Sequence, residues 1–274
     1  MSKIKVQKIY RKGTKEISED ELLIGDNLFA VFDGATSIVP FKNKEGKTGG
    51  RIGAEIVKET FAQNDKPLKE LAIEANQRLG KAMASEGVDL QQKEGLWMVG
   101  VAAFRLLDHE ADFFQISDCF ILAIFQDGSF RQFPDVIVNH DLENLRLCKN
   151  LAAQKVKNIR AELIEQIIKV RREANVTYGF LTGEKEAERF FELGKIPLAN
   201  VRSLVLFTDG LLIPKRDVEK PEKWPLFVKL YQSGGLEGLA DYIRELEKTD
   251  PYCWKYPRLK QHDDMAAIGI DFFR

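Results

Sequence analysis

Leu28-Phe29-Ala30-Val31-Phe32-Asp33-Gly34 is an unbroken apolar run that ends on a carboxylate and a glycine. The pattern returns at Leu204-Val205-Leu206-Phe207-Thr208-Asp209-Gly210. It returns in mirror order at Asp263-Asp264-Met265-Ala266-Ala267-Ile268-Gly269-Ile270, where the acids come before the apolar stretch. Short apolar runs bounded by turn residues read as strands buried on both faces. A fourth case is Phe113-Phe114-Gln115-Ile116-Ser117-Asp118, with the acid expected between two strands of a hairpin. Buried strands that deliver carboxylates to their ends gather negative charge at one edge of a sheet. Such a cluster repels itself unless a cation neutralises it. All-oxygen donors suit Mg²⁺ or Mn²⁺ rather than Zn²⁺ or copper. Glycine after the aspartate allows a sharp turn and leaves its carbonyl open for coordination. Taken singly, each Asp-Gly is more simply a turn former. Asp127-Gly128, between Phe120–Phe125 and Ser129–Phe133, is that plain case, a hairpin turn without chemistry. An acid at four separated strand ends is harder to dismiss.

Outward from these runs, further strands are expected at Ile4–Tyr10, Glu21–Ile24 and Leu96–Leu106, with Gly25-Asp26-Asn27 turning the chain between the second strand and Leu28–Phe32. Helical spacing links Ile52, Ile56, Val57 and Phe61, and again Leu68, Leu71, Ala72, Ala75 and Leu79. One long helix is expected over Leu147–Glu173, a short one near Glu184–Leu193, and helices around Trp224–Leu246. Strands in runs with helices grouped between them exclude the regular alternation of a doubly wound parallel sheet. The fold class is α+β, with mostly antiparallel sheets flanked by helices.

The 274 residues carry 41 Lys+Arg against 42 Asp+Glu, a net charge of −1, which argues against a main role in gripping nucleic acid or an anionic membrane. No apolar run reaches the roughly 18 residues of a membrane-spanning helix, and the N-terminus lacks the apolar core of a secretory signal. Cys119, Cys148 and Cys253 are an odd, widely spaced set. They exclude a disulfide framework and point to a reducing compartment, so a cytoplasmic location is expected. No stretch reads as a linker or repeat, and one domain over residues 1–274 is expected.

The ordered motifs Val31-Phe32-Asp33-Gly34, Phe207-Thr208-Asp209-Gly210 and Asp263-Asp264-Met265-Ala266 resemble the metal-dependent type 2C serine/threonine protein phosphatases, in the style of compact bacterial members. Ser18-Glu19-Asp20 is similar to the family's acidic element upstream of the first metal aspartate, and Ser117-Asp118-Cys119-Phe120 falls where the family carries Gly-Asp-Ser-Arg. The resemblance implies a four-layer α-β-β-α sandwich of two packed sheets with helices outside each. It implies that Asp33 bridges two Mg²⁺ or Mn²⁺ ions and that Asp209 and Asp263 complete one of them. The Gly34 carbonyl would serve the other, with Glu19, and Asp20 beside it, nearby. Asp118 would hold a third, weaker ion together with Asp209. The implied reaction is direct hydrolysis of phosphoserine or phosphothreonine monoesters by water activated between the ions. The implied partner is a phosphorylated protein, and a monomer is expected.

Departures from the family pattern are informative. Asp33-Gly34 is followed by Ala35-Thr36-Ser37, and Gly49-Gly50 arrives only after an insertion. A family histidine that serves as proton donor is therefore replaced by Ala35, with His262 beside Asp263 as a candidate substitute or, more simply, an outer-shell neighbour. Asp264 stands where the family carries asparagine. Lys15, with Arg11 close by, is placed to meet the substrate phosphate, without an arginine's bidentate fork. Basic residues from Lys149 to Arg172 read as a solvated helix face, and Trp224, Tyr252 and Trp254 as aromatics that pin a C-terminal loop. Two other functions compete with a protein phosphatase: a non-catalytic relative that binds a regulatory partner, and a phosphatase of small metabolites. The presence of Asp33, Asp209 and Asp263 weighs against the first.

Overall fold

The computed structural model describes residues 3–35 and 37–273; Thr36, in the departure noted above, lies outside the described residues, as do Met1, Ser2 and Arg274. In chain order the strands and α-helices are β1 (Lys3–Arg11), β2 (Glu21–Ile24), β3 (Leu28–Ala35), α1 (Gly49–Ala62), α2 (Leu68–Ser85), β4 (Met98–Leu106), β5 (Glu110–Ile116), β6 (Phe120–Phe125) and β7 (Phe130–Phe133). There follow α3 (Leu142–Ala153), α4 (Ile159–Glu162), α5 (Ile164–Arg172), β8 (Glu192–Pro197), β9 (Val201–Phe207), α6 (Trp224–Lys248) and β10 (Met265–Phe273). The strands form two five-stranded sheets, ordered β1-β10-β9-β6-β7 and β2-β3-β4-β5-β8, and every pairing between them is antiparallel.

The unbroken apolar runs follow from burial on both faces. Phe29 and Val31 of β3 pack with Phe104, Ile121, Leu206 and Ile268 between the sheets. Their neighbours Ala30 and Phe32 point the other way, into a cluster with Val57 and Phe61 of α1 and Leu71 of α2. On the far side, Val205 and Phe207 of β9 pack with Phe227, Leu239 and Ile243 of α6. Strand side chains alternate between faces, so each sheet fills one apolar layer within the sandwich and another under its helices. Fully burying each large apolar side chain contributes about 1.5–3 kcal/mol. The result is the α-β-β-α layering that the motifs implied. Among the described residues, no helix is long and apolar enough to cross a membrane.

Five local expectations differ from what is observed. The segment read as one long helix is three, α3 to α5. Lys155 takes a left-handed φ of 59° just after α3, and the Asn158 side chain caps α4 by accepting from the Ala161 amide at 3.3 Å. Glu184–Leu193 contains a 3₁₀ segment, Lys185–Phe190, and then the edge strand β8. The β5–β6 connection at Ser117–Cys119 is no hairpin, because β5 and β6 belong to different sheets. The basic segment is no uniform solvated face either. Lys155 and Lys157 lie over the rings of Trp254 and Tyr252, at 4.9 and 6.0 Å, while Arg160 and Arg171 line the cavity described below. Trp254 also donates its indole N–H to the Val156 carbonyl at 2.7 Å, so the C-terminal loop is pinned to the α3–α5 insert. By contrast, Trp224 packs edge-on against Phe120 and Phe207 of the core.

Candidate active site

Asp33 leaves β3 opposite Gly100 of β4, in one sheet. Asp209 follows the end of β9, and Asp263 precedes the start of β10, both in the other sheet. Asp118 sits where the chain crosses from the first sheet to the second, between β5 and β6. These four, with Asp20, line a single cavity of about 380 Å³ at one mouth of the sandwich. Residues 14, 176 and 54 positions apart (from Glu19 to Asp33, Asp209 and Asp263 in turn) are thus brought together by the crossing of two sheets.

Backbone packing makes the close approach possible. A Cβ on Gly34 would drive into the carbonyls of Glu19 and Gly50, and one on Gly210 into the carbonyl of Asp264. Only glycine fits at either place. The contact with Gly50 shows how the insertion is accommodated: Gly50, in the first turn of α1, lies against Gly34, while Gly49 packs against Trp97. Thr48, the N-cap of α1, accepts from the Arg51 amide at 3.3 Å and donates to Glu19 Oε1 at 2.5 Å. Helix α1 and the acidic element are thereby fixed to each other.

Electrostatics show the strain of assembling like charges. Burial raises the Asp33 carboxyl well above the usual range, and Asp20, Asp209, Asp118 and Asp263 push it further. Asp209 is raised by burial and then by Asp263 and Asp118. Asp20 is raised by burial, against the opposing hydrogen bond from Thr208 Oγ1 at 2.7 Å, with Asp263 and Asp264 adding to the rise. Cys119, fully buried beneath them, is held as a neutral thiol by burial and by the same carboxylates. The ammonium of Lys260 lies 2.5 Å from Asp263 Oδ1. Burial alone would lower its pKa, yet Asp263, Asp209 and Asp33 hold it above the ordinary lysine range. A buried cluster of oxygens that a single lysine only partly neutralises suits hard divalent cations. Among the described residues, no group of three or more His, Cys, Asp or Glu side chains is already drawn together closely enough to hold a metal ion.

The other singled-out residues fall outside the cluster of aspartates. Glu19 lines the cavity, and its carboxylate is paired with Lys15 as well as Thr48. Lys15 itself does not line the cavity. Arg11 pairs with Glu237 and Asp241 on α6. His262 is turned away, with Nδ1 2.8 Å from Glu247 Oε2, which makes it a neighbour rather than a substitute proton donor. Asp264 is a structural tie. Its Oδ1 accepts from the Gly13 amide at 2.7 Å and its Oδ2 from the Glu19 amide at 2.9 Å, which staples the acidic element to the start of β10. Lys260, three residues before Asp263, was missed in the sequence. Its i,i+3 offset from a metal-type acid was the available signal.

A family model for protein phosphatase 2C matches residues 17–247. Among solved structures, the catalytic domain of the serine/threonine protein phosphatase PstP in complex with two manganese ions is similar over 99% of both chains, with a TM-score of 0.60 at 16% identity. RsbX in complex with magnesium gives a TM-score of 0.54 at 11% identity, over 98% of this chain and 96% of that one. The serine/threonine phosphatase Stp1 from Staphylococcus aureus gives 0.58 at 12% identity, over 100% of this chain and 96% of that one. At these identities the likeness is one of fold. No curated protein matches the chain by sequence.

Proposed function

Because the chain belongs to the protein phosphatase 2C family, we propose that it hydrolyses phosphoserine and phosphothreonine monoesters in proteins, as a single Mg²⁺- or Mn²⁺-dependent catalytic domain over residues 1–274. The observation that carries this reading is the convergence of Asp20, Asp33, Asp118, Asp209 and Asp263, from both sheets, on one cavity. When bound, two such ions supply Lewis-acid activation of a water and neutralise phosphate oxygens. The protein's part is to hold and orient. Asp33 would serve both ions, Asp209 and Asp263 would complete one of them, and the Gly34 carbonyl would serve the other. Glu19 and Asp20 would act beside them, directly or through water, with Thr48 and Lys15 holding Glu19 and Thr208 holding Asp20. Lys15 then contributes by orienting Glu19. Asp118, together with Asp209, would hold a third, weaker ion at the sheet crossing. The retention of every metal-type aspartate favours catalysis over mere binding.

The test is hydrolysis of p-nitrophenyl phosphate and of phosphoserine and phosphothreonine peptides, with Mn²⁺ and with EDTA. Mn²⁺-dependent, EDTA-suppressed turnover of both is the expected result. Peptide turnover that persists in EDTA would overturn the reading, as would its absence with Mn²⁺.

A further inference from the structure

One wall of the cavity comes from the α3–α5 insert, which contributes Arg160 of α4 and Ile167, Val170 and Arg171 of α5. The insert holds these residues from behind. Ile159 and Ile167 are buried with Cys148 and Cys253, and the Val170 carbonyl accepts from the Tyr178 hydroxyl at 2.8 Å. Arg171 is further fixed by donating to Met98 Sδ on β4, at 2.6 Å.

Arginine stays protonated in proteins, so two positive charges share this recess. Burial draws the Arg171 guanidinium below the ordinary arginine range, and the like charge of Arg160 draws it further, against Asp141 and Asp118. Arg160 is half-buried and makes no ion pair among the described residues. Asp141, on the same wall, already accepts from Asn144 Nδ2 at 2.6 Å. Two guanidiniums against one carboxylate leave the wall positive. The other lysines and arginines of the cavity are matched: Lys215 by Glu222 at 2.5 Å, Arg258 by Asp250 at 2.8 Å, and Lys260 by Asp263 at 2.5 Å. Recessed like charges are costly unless an anion joins them.

That anion is not the phosphoryl group. Lys260 is the cation that Asp263, Asp209 and Asp33 hold against the pull of burial, at the place proposed for the ions. Of the site aspartates, Asp118 bears most strongly on Arg171, which sets the arginines beyond the sheet crossing. A peptide whose phosphoryl group meets the aspartates lays its neighbouring residues along this wall, at about 3.3 Å per extended residue. We propose that Arg160 and Arg171 form an anion subsite for an acidic side chain beside the phosphorylated residue. The preferred substrates are then phosphopeptides with Asp or Glu next to the phosphoserine or phosphothreonine. This names the substrate class of the phosphatase reading and rests on it. A guanidinium meets a carboxylate with two parallel N–H donors, so the subsite fits that group closely. A small phosphorylated metabolite would leave it empty.

Fluorescence anisotropy of labelled peptides on the full chain with Mn²⁺ reads the subsite without turnover, when a non-hydrolysable phosphonate replaces the phosphoserine. Peptides with Glu on both sides of it should bind about tenfold more tightly than peptides with Ala, the worth of one charge-assisted hydrogen bond. Arg160→Met should lose that preference, and Arg160→Glu should turn it towards Lys-flanked peptides. Lys169→Met, on the same insert but off the cavity wall, should keep it. Equal binding of Glu- and Ala-flanked peptides by wild type, or a preference that survives Arg160→Met, would overturn the subsite. So would a loss in Arg160→Met that is the same for both peptides, which would put the arginine on the phosphoryl group. Turnover of p-nitrophenyl phosphate with Mn²⁺, measured alongside, separates the two readings. Preference without turnover would leave the anion subsite and overturn the phosphatase; turnover without preference would do the reverse.

Discussion

Asp264→Asn is the substitution whose outcome the structure specifies most closely. The family's usual residue at this position is asparagine, yet here both carboxylate oxygens accept backbone amides, from Gly13 at 2.7 Å and from Glu19 at 2.9 Å, on a side chain only 5% exposed. An amide side chain has one acceptor oxygen, so one of the two N–H groups would face an NH₂ and lose its partner. A hydrogen bond to a charged group contributes about 1.5–3 kcal/mol, and the buried donor left behind stays unsatisfied. For a chain of this length that is a fall of roughly 3–12 °C in melting temperature. Charge relief works in the opposite direction, because Asp264 is among the carboxylates that push up Asp20. Metal suppresses that relief, so the fall should be larger in saturating Mn²⁺ than in EDTA. Melting curves followed by circular dichroism under both conditions measure each part. If Asp264→Asn melts with wild type in Mn²⁺, Asp264 does not staple the acidic element and the positioning assigned to it is wrong.

Three further outcomes follow from the same geometry. Gly34→Ala forces a methyl against the Glu19 and Gly50 carbonyls, which cannot both retreat; overpacking of this kind costs about 1–3 kcal/mol, a melting loss of roughly 2–12 °C, and unchanged melting would show that the approach is slack. Lys260→Met removes the ammonium beside Asp263, so melting in EDTA should fall by roughly 2–4 °C, about 1 kcal/mol, and by less with Mn²⁺ bound; an equal fall in both would show that the lysine does not act as the counter-ion of the metal-free site. The raised carboxyls of Asp20, Asp33 and Asp209 favour the folded state when protonated, so their contribution is present at low pH and is lost as pH rises through their elevated values. Bound metal demands the deprotonated forms. The Mn²⁺-induced rise in stability should therefore grow as pH climbs above the ordinary carboxylate range, by up to about 1.4 kcal/mol per pH unit for each proton displaced, and a pH-independent rise would contradict the arrangement.

How far this structure could be read in advance differs from element to element, for physical reasons. The runs before Asp33 and Asp209 and after Asp264 were legible because both of their faces are buried, so the sequence stays apolar until the strand leaves the core. Strand β8 was not, because it lies at a sheet edge with most of its residues exposed and only Ile196 fully buried. A short connection such as Ser117–Cys119 looks alike whether the next strand pairs with the last or joins the opposite sheet; long-range packing decides that. The break after α3 rests on one left-handed lysine, Lys155, a conformation to which local composition gives no clue. At the site, the aspartates were legible from their strand ends. Asp264 acquires its meaning only from partners far away in the chain, the Gly13 and Glu19 amides, and Lys260, although three residues from Asp263, from the burial that sets it beside Asp209 and Asp33 as well.

The central claim is that divalent metal binds where Asp33 stands between the two sheets. Thermal melting of wild type and Asp33→Ala, each with Mn²⁺ and with EDTA, tests it most directly. At a hundredfold excess over Kd, each ion that binds only the native state contributes about 2.7 kcal/mol, roughly 5–11 °C for a chain of this size. Wild type should show this rise, and Asp33→Ala should lose most of it because, on the proposed reading, the residue would serve both ions. Equal Mn²⁺ stabilisation of the two proteins would contradict the account and place the metal elsewhere.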